Sequence, residues 1–185
     1  MPSKLEEAFS FLKEGYFEDA AAAFSEYLFS NPDSAAAFQG RGMARSQLRQ
    51  WLAAVSDFGR ARELDPDDPE NSLGLAGSLA ASGKIYEAID VYEALLADQP
   101  ECTRGHIQLA RLYYQLGVIA KGHGRLDAAL RSRPSPAERQ QIEALKKEQL
   151  TLDKKRYHRP DFEALRRQNH ASGSLWTRLK RIFKK

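Results

Sequence analysis

Four histidines, one cysteine and 25 carboxylates are the residues of this 185-residue chain that could make or break bonds or hold a metal. A metal centre needs such side chains at ligand spacing. His106, His123, His158 and His170 are scattered, form no HExxH pattern and pair with no cysteine motif. "KGHG" at Lys121–Gly124 is too short for a phosphate-binding loop and lacks its hydroxyl. Acid pairs such as Glu6–Glu7 and Asp67–Asp68 suit helix starts and turns. The histidines read as surface or helix-packing residues. No catalytic or metal residues, no cofactor and no enzyme are expected.

Other functions are bounded by composition. With 42% hydrophobic and 29% charged residues the chain reads as a soluble protein with one core. No apolar run approaches the roughly 20 residues of a membrane span. The opening "MPSKLEEAFSF" carries acids where a secretion signal needs bases, so export is not expected. Cys102 alone permits no internal disulfide, which fits a reducing cytosol. The net charge of +3 hides a split: residues 154–185 hold eleven Lys/Arg against Asp161 and Glu163, so the first 153 residues are net acidic.

What positions the side chains is an internal repeat. Pro32, Pro66, Pro100 and Pro134 stand 34 residues apart. In the same phase run a small column (Ala20, Ala54, Ala88, Gly122) and a second one (Ala8, Gly42, Ala76, Ala110). A third column is large (Phe24, Phe58, Tyr92, Leu126), and a fourth holds Gly15, Gly83 and Gly117 with Arg49 as the exception. Small residues let two helices approach while the large one fills the space beside them. Glycine ends the first helix of each unit in a left-handed cap, and proline follows the second helix because it cannot continue it. Between these markers the apolar spacing is helical, as at Ile85, Ala88, Ile89, Tyr92, Leu95 and Leu96.

On these columns the chain resembles the tetratricopeptide repeat (TPR) family, whose unit is a 34-residue helix–turn–helix. The resemblance covers residues 1–134, four units, and implies an all-α, right-handed superhelical solenoid. Unit two departs from it at Arg41 and Arg45, where apolar residues are usual. Gly122 departs in unit four, and "VIAKGHGRLDAAL" is therefore expected to form a looser helix pair. Residues 135–156 open with Ser135, Pro136 and Glu138, a capping box, and read as a helix with Ile142, Leu145 and Leu152 on one face, covering the end of the stack. Residues 157–173 read as a polar, basic linker.

The resemblance also implies a concave, peptide-binding groove lined by the first helix of each unit. Its lining would be Leu5, Phe9 and Leu12, then Gln39 and Met43, then Leu73 and Gly77, then Arg104, Ile107, Arg111 and Tyr114. One family subtype grips a chaperone's C-terminal carboxylate with Lys, Asn and Arg in set places. The matching positions here are Leu5, Phe9, Gly40, Glu70 and Gly74, or in the next phase Gln39, Met43, Gly74, Arg104 and Gln108. Arg104 alone fits, so that clamp is absent. A scaffold or adaptor for an apolar or amphipathic partner peptide is expected, with an acidic end near Arg104 and Arg111.

Residues 174–185, "SLWTRLKRIFKK", are predicted to form an amphipathic helix. Leu175, Trp176, Leu179, Ile182 and Phe183 fall on one arc; Arg178, Lys180, Arg181, Lys184 and Lys185 fall opposite. That segregation suits weak, salt-sensitive attachment to an anionic lipid surface at the inner face of a membrane. The alternatives are a chaperone-like protein whose tail docks on its own groove or on a partner, as an autoinhibitory segment, and a nucleic-acid-binding tail. The second is weaker, because Trp176 lies with the aliphatic residues rather than among the arginines.

Overall fold

The left-handed column decides where the chain reverses. In a computed structural model, which describes residues 3–156, Gly15, Gly83 and Gly117 take φ of 87°, 89° and 74°. Arg49, the exception, takes the same conformation at φ 59°. Each ends a first helix in the same two-bond cap. Gly15 N–H donates to Leu12 O and Tyr16 N–H to Phe11 O; Arg49 and Gln50 donate to Ser46 and Arg45; Gly83 and Lys84, then Gly117 and Val118, repeat the pattern.

Between these caps run α1 (Lys4–Glu14), α3 (Ala35–Gln47), α5 (Pro69–Ala81) and α7 (Thr103–Gln115), the first helices of the four units. Their partners are α2 (Phe17–Ser30), α4 (Trp51–Leu64), α6 (Ile85–Asp98) and α8 (Ile119–Arg131). Pro32, Pro66, Pro100 and Pro134 stand just beyond the ends of the second helices. The last helix among the described residues, α9 (Pro136–Arg156), starts at a reciprocal cap: Glu138 N–H donates to Ser135 Oγ at 3.3 Å and Ser135 N–H donates to Glu138 at 2.9 Å. The described residues are all helices, turns and loops.

Small-residue columns do what their size requires. Ala8, Ala20, Ala54, Ala76, Ala88 and Ala110 are fully buried, beside Phe24, Phe58, Tyr92 and Leu126. Burial pushes the Tyr92 phenol up to about 12. The segment expected to be looser is not: α8 is continuous, and Gly122 lies under the ring of Tyr114, where a Cβ would fall closer than 3.0 Å. The aromatic on α7 fills the space that an alanine would take.

Unit two solves its departure with charge. Arg41 and Arg45 occupy the places of Leu75 and Leu79 one unit later, and Asp57 occupies that of Val91. Asp57 is 2% exposed and accepts from Arg41 Nη2 at 2.8 Å and Arg45 Nη1 at 2.6 Å. Arg41 Nη1 also donates to Ser25 on α2 at 3.1 Å. Ion pairing and hydrogen bonds replace apolar packing there, which is the condition for burying charge.

The chain divides into a unit through Lys146 and a second unit from Lys147 onward. In the first, Ile142 of α9 is fully buried with Ile107, Ala110, Leu126 and Ala129, and Leu145 packs against them. In the second, α9 runs on to Arg156, Thr151 Oγ1 donates to Lys147 O at 2.7 Å, and Leu152, expected on the apolar face, is exposed. The linker and the tail residues Leu175 to Lys185 lie outside the described residues. No described helix is long and apolar enough to cross a membrane.

Candidate peptide groove

Curvature follows from which helices touch. The backbones of α1 and α3, of α3 and α5, and of α5 and α7 approach closely, whereas the second helices of successive units stand further apart and meet through long side chains, as Arg125 of α8 meets Glu93 of α6. The first helices therefore crowd on the inner side of the stack. Their residues fall into three columns at the 34-residue period: Leu5, Gln39, Leu73 and Ile107; Phe9, Met43, Gly77 and Arg111; Leu12, Ser46, Ala80 and Tyr114.

These columns have different fates. The middle one faces out. Met43 is 44% exposed, Gly77 and Arg111 are exposed, and Phe9 is half-buried, its ring edge-on to Phe24 at 4.9 Å. A Cβ on Gly77 would meet the Tyr92 hydroxyl alone, at 3.8 Å, so the floor is open there.

The outer two columns are spent on joining units. Gln39 Nε2 donates to Asp68 at 2.6 Å and to Asn71 at 2.9 Å, while Asn71, 1% exposed, donates to Asp65 O at 2.9 Å. Ser46 and Ser78 share a hydrogen bond of 3.1 Å. Leu5, Leu12 and Leu73 are half-buried against the core clusters.

One expected lining residue is corrected, and a second is engaged elsewhere. Ile107 is 0% exposed, within the core of the last unit, and can line nothing. Tyr114 turns to α8: its ring covers Gly122 and its hydroxyl shares a 3.0 Å hydrogen bond with His123 Nδ1. The anion-binding role expected of Arg104 is reduced as well. Its guanidinium pairs with Glu70 one unit earlier, both side chains about half exposed, so an incoming carboxylate must compete with Glu70. Arg111 has no ion-pair partner among the described residues.

Sequence reasoning missed Asp57 and Asn71. The signal for Asp57 was present: in the column Ala23, Asp57, Val91 and Arg125 it stands between two apolar residues, and two arginines on the helix before it mark a buried pair. The described residues hold no cluster of three or more His, Cys, Asp or Glu side chains able to bind a metal.

Known proteins agree on the architecture. The sequence model of the tetratricopeptide repeat family matches residues 47–106. The TPR repeat-containing thioredoxin TTL4 of Arabidopsis thaliana is 34% identical over 98 residues, 52% of this chain and 14% of that protein. The chain spans 14% or less of the first curated relatives it matches. The crystal structure of MamA superimposes with a TM-score of 0.66 at 20% identity, covering 70% of this chain and 75% of that one. The second TPR domain of human RPAP3, solved in complex with an HSP70 peptide, gives a TM-score of 0.57 at 22% identity over 60% of this chain and 92% of that one. With the repeat columns, the capped helix pairs and these matches in hand, residues 47–106 are assigned to the tetratricopeptide repeat, and the described helix pairs share the fold of that family.

Proposed function

We propose that the chain is a non-catalytic adaptor that holds a partner peptide along the middle column of its inner face. The observation that carries this is the run Met43, Gly77 and Arg111: an exposed thioether, an unfilled floor and an unpaired cation at one spacing on three successive units. A partner side chain of apolar character would lie over Met43 and Gly77, and a carboxylate would reach Arg111. RPAP3 is a chaperone-peptide binder by its structure's own description. Here the carboxylate-clamp residues are absent apart from Arg104, so the pairing to Arg111 is preferred to a chaperone-type clamp.

The test compares the proteins retained by the immobilised wild-type chain with those retained by Met43→Glu/Arg111→Glu. Both sites are exposed, so circular dichroism should be unchanged. A partner retained by the wild type and lost by the variant supports the reading; identical sets on both overturn it.

A second part of the proposal rests on the sequence pattern of residues 174–185 alone. The separation of Leu175, Trp176, Leu179, Ile182 and Phe183 from the five bases supports weak attachment to an anionic membrane surface, with the adaptor at its cytoplasmic face. Co-flotation with anionic and neutral liposomes, for the full chain and one ending at Gly173, tests it. Equal recovery of the two chains on anionic vesicles sinks the attachment; higher groove affinity after truncation makes the tail autoinhibitory instead.

A further inference from the structure

The outer surface carries a charged cavity that the groove does not use. α8 presents Lys121, Gly124, Arg125, Ala128 and Arg131 to a cavity of about 350 Å³, whose other lining residues are Glu93 of α6 and Tyr113 of α7. At helical spacing these five share one face, and Lys121 to Arg131 covers about 15 Å along the axis. Three cations thus meet a single lining carboxylate. That carboxylate is already engaged: Glu93 accepts from the Tyr113 hydroxyl at 2.6 Å and from Arg125 at 3.2 Å. Asp127, the acid of α8 itself, accepts from Lys146 at 2.6 Å. Lys121 lies over the Tyr113 ring, 5.2 Å from its centre, and neither it nor Arg131 has an ion-pair partner among the described residues.

We propose that this cavity docks an acidic protein segment, one that sets carboxylates on Lys121 and Arg131 and lays its stem across Gly124 and Ala128. Spacing selects a chain over a small anion, because one phosphate reaches one of the two unpaired cations and leaves the other. In an extended segment the two carboxylates stand about four residues apart. Chemistry selects protein over nucleic acid. The Tyr113 face is covered by Lys121 and its hydroxyl is held by Glu93, so no aromatic platform remains for a base. The same locus in unit two is filled from within, since Asp57 occupies the position of Arg125 and satisfies Arg41 and Arg45. At the last unit that position is itself a cation, and Lys121 and Arg131 stand where unit two has Ala53 and Glu63.

The experiment titrates the 15N-labelled full chain with a peptide carrying two Glu-Glu pairs four residues apart. Site-resolved shifts are needed because residues 154–185 are basic too. The expected result is amide shifts concentrated at Gly124, Arg125, Ala128 and Arg131, with affinity falling about tenfold in Lys121→Glu/Arg131→Glu at unchanged circular dichroism. A milder Lys121→Ser/Arg131→Ser chain should fall in between. The proposal is overturned by shifts confined to residues 154–185, by equal affinity in the double variant, or by an oligouridylate that moves the same amides at lower concentration than the peptide.

Discussion

The ring of Phe58 on α4 lies against Gly74 on α5, where a Cβ would stand closer than 3.0 Å to it. Phe24 and Gly40 make the same contact 34 residues earlier, so this is how one unit seats on the next. An alanine at position 74 has to push a ring already held by Ala54 and Ala76 in a close-packed core. Gly74→Ala is expected to cost about 1–3 kcal/mol although alanine is the better helix former. Urea unfolding followed at 222 nm measures it, with Gly77→Ala, which has room, as the control expected to stabilise.

The seating contacts show what could be read beforehand. Small and large residues recurring at one period disclosed the helix pairs, their caps and their order, because each column answers to a local rule. The groove was less legible. Helical spacing places Ile107 and Arg111 on one broad face of α7, but the surrounding helices decide which of them is covered. The contact of Tyr114 with α8 was hidden for the same reason: the glycine at position 122, which admits its ring, sits eight residues away on another helix. Curvature is a property of the stack, and no single helix encodes it.

Arg49 holds a left-handed turn that its three counterparts give to glycine. A side chain there costs about 1–2 kcal/mol, and glycine loses roughly 0.5–1 kcal/mol more in chain entropy. Arg49→Gly should therefore stabilise by about 0.5–1 kcal/mol, a rise of roughly 1–4 °C in Tm by calorimetry. No rise would mean that the arginine makes up the difference by contacts beyond the turn.

Asp57 stands between two arginines that have little else to neutralise them. Asp57→Ala leaves Arg41 and Arg45 part-buried and unpaired, a loss of about 3–5 kcal/mol. Unit three shows the alternative solution to the same packing, with Leu75, Leu79 and Val91. The triple replacement Arg41→Leu/Arg45→Leu/Asp57→Val should be far less damaging than the single one, and near neutral. Thermal unfolding of the two variants side by side decides it; a triple variant as unstable as Asp57→Ala would show that the charges set the geometry of this junction.

His106 gives the stack a pH response. It is 5% exposed, its Nε2 donates to Pro100 O at 2.9 Å, and its Nδ1 is buried without a partner. Burial holds its pKa below the usual 6.5; the Pro100 carbonyl and Glu101 pull it up, and Arg125 and Arg131 push it further down. The unfolded chain thus binds a proton at a pH where the folded one does not, so stability is lost as pH falls below about 6.5. His106→Gln keeps a donor for Pro100 and removes the titration. The stability of the wild type relative to His106→Gln, from urea midpoints at pH 7.5, 6.5 and 5.5, should decline toward the acid end. A constant difference across that range would mean that the buried ring takes up its proton as readily as a free one.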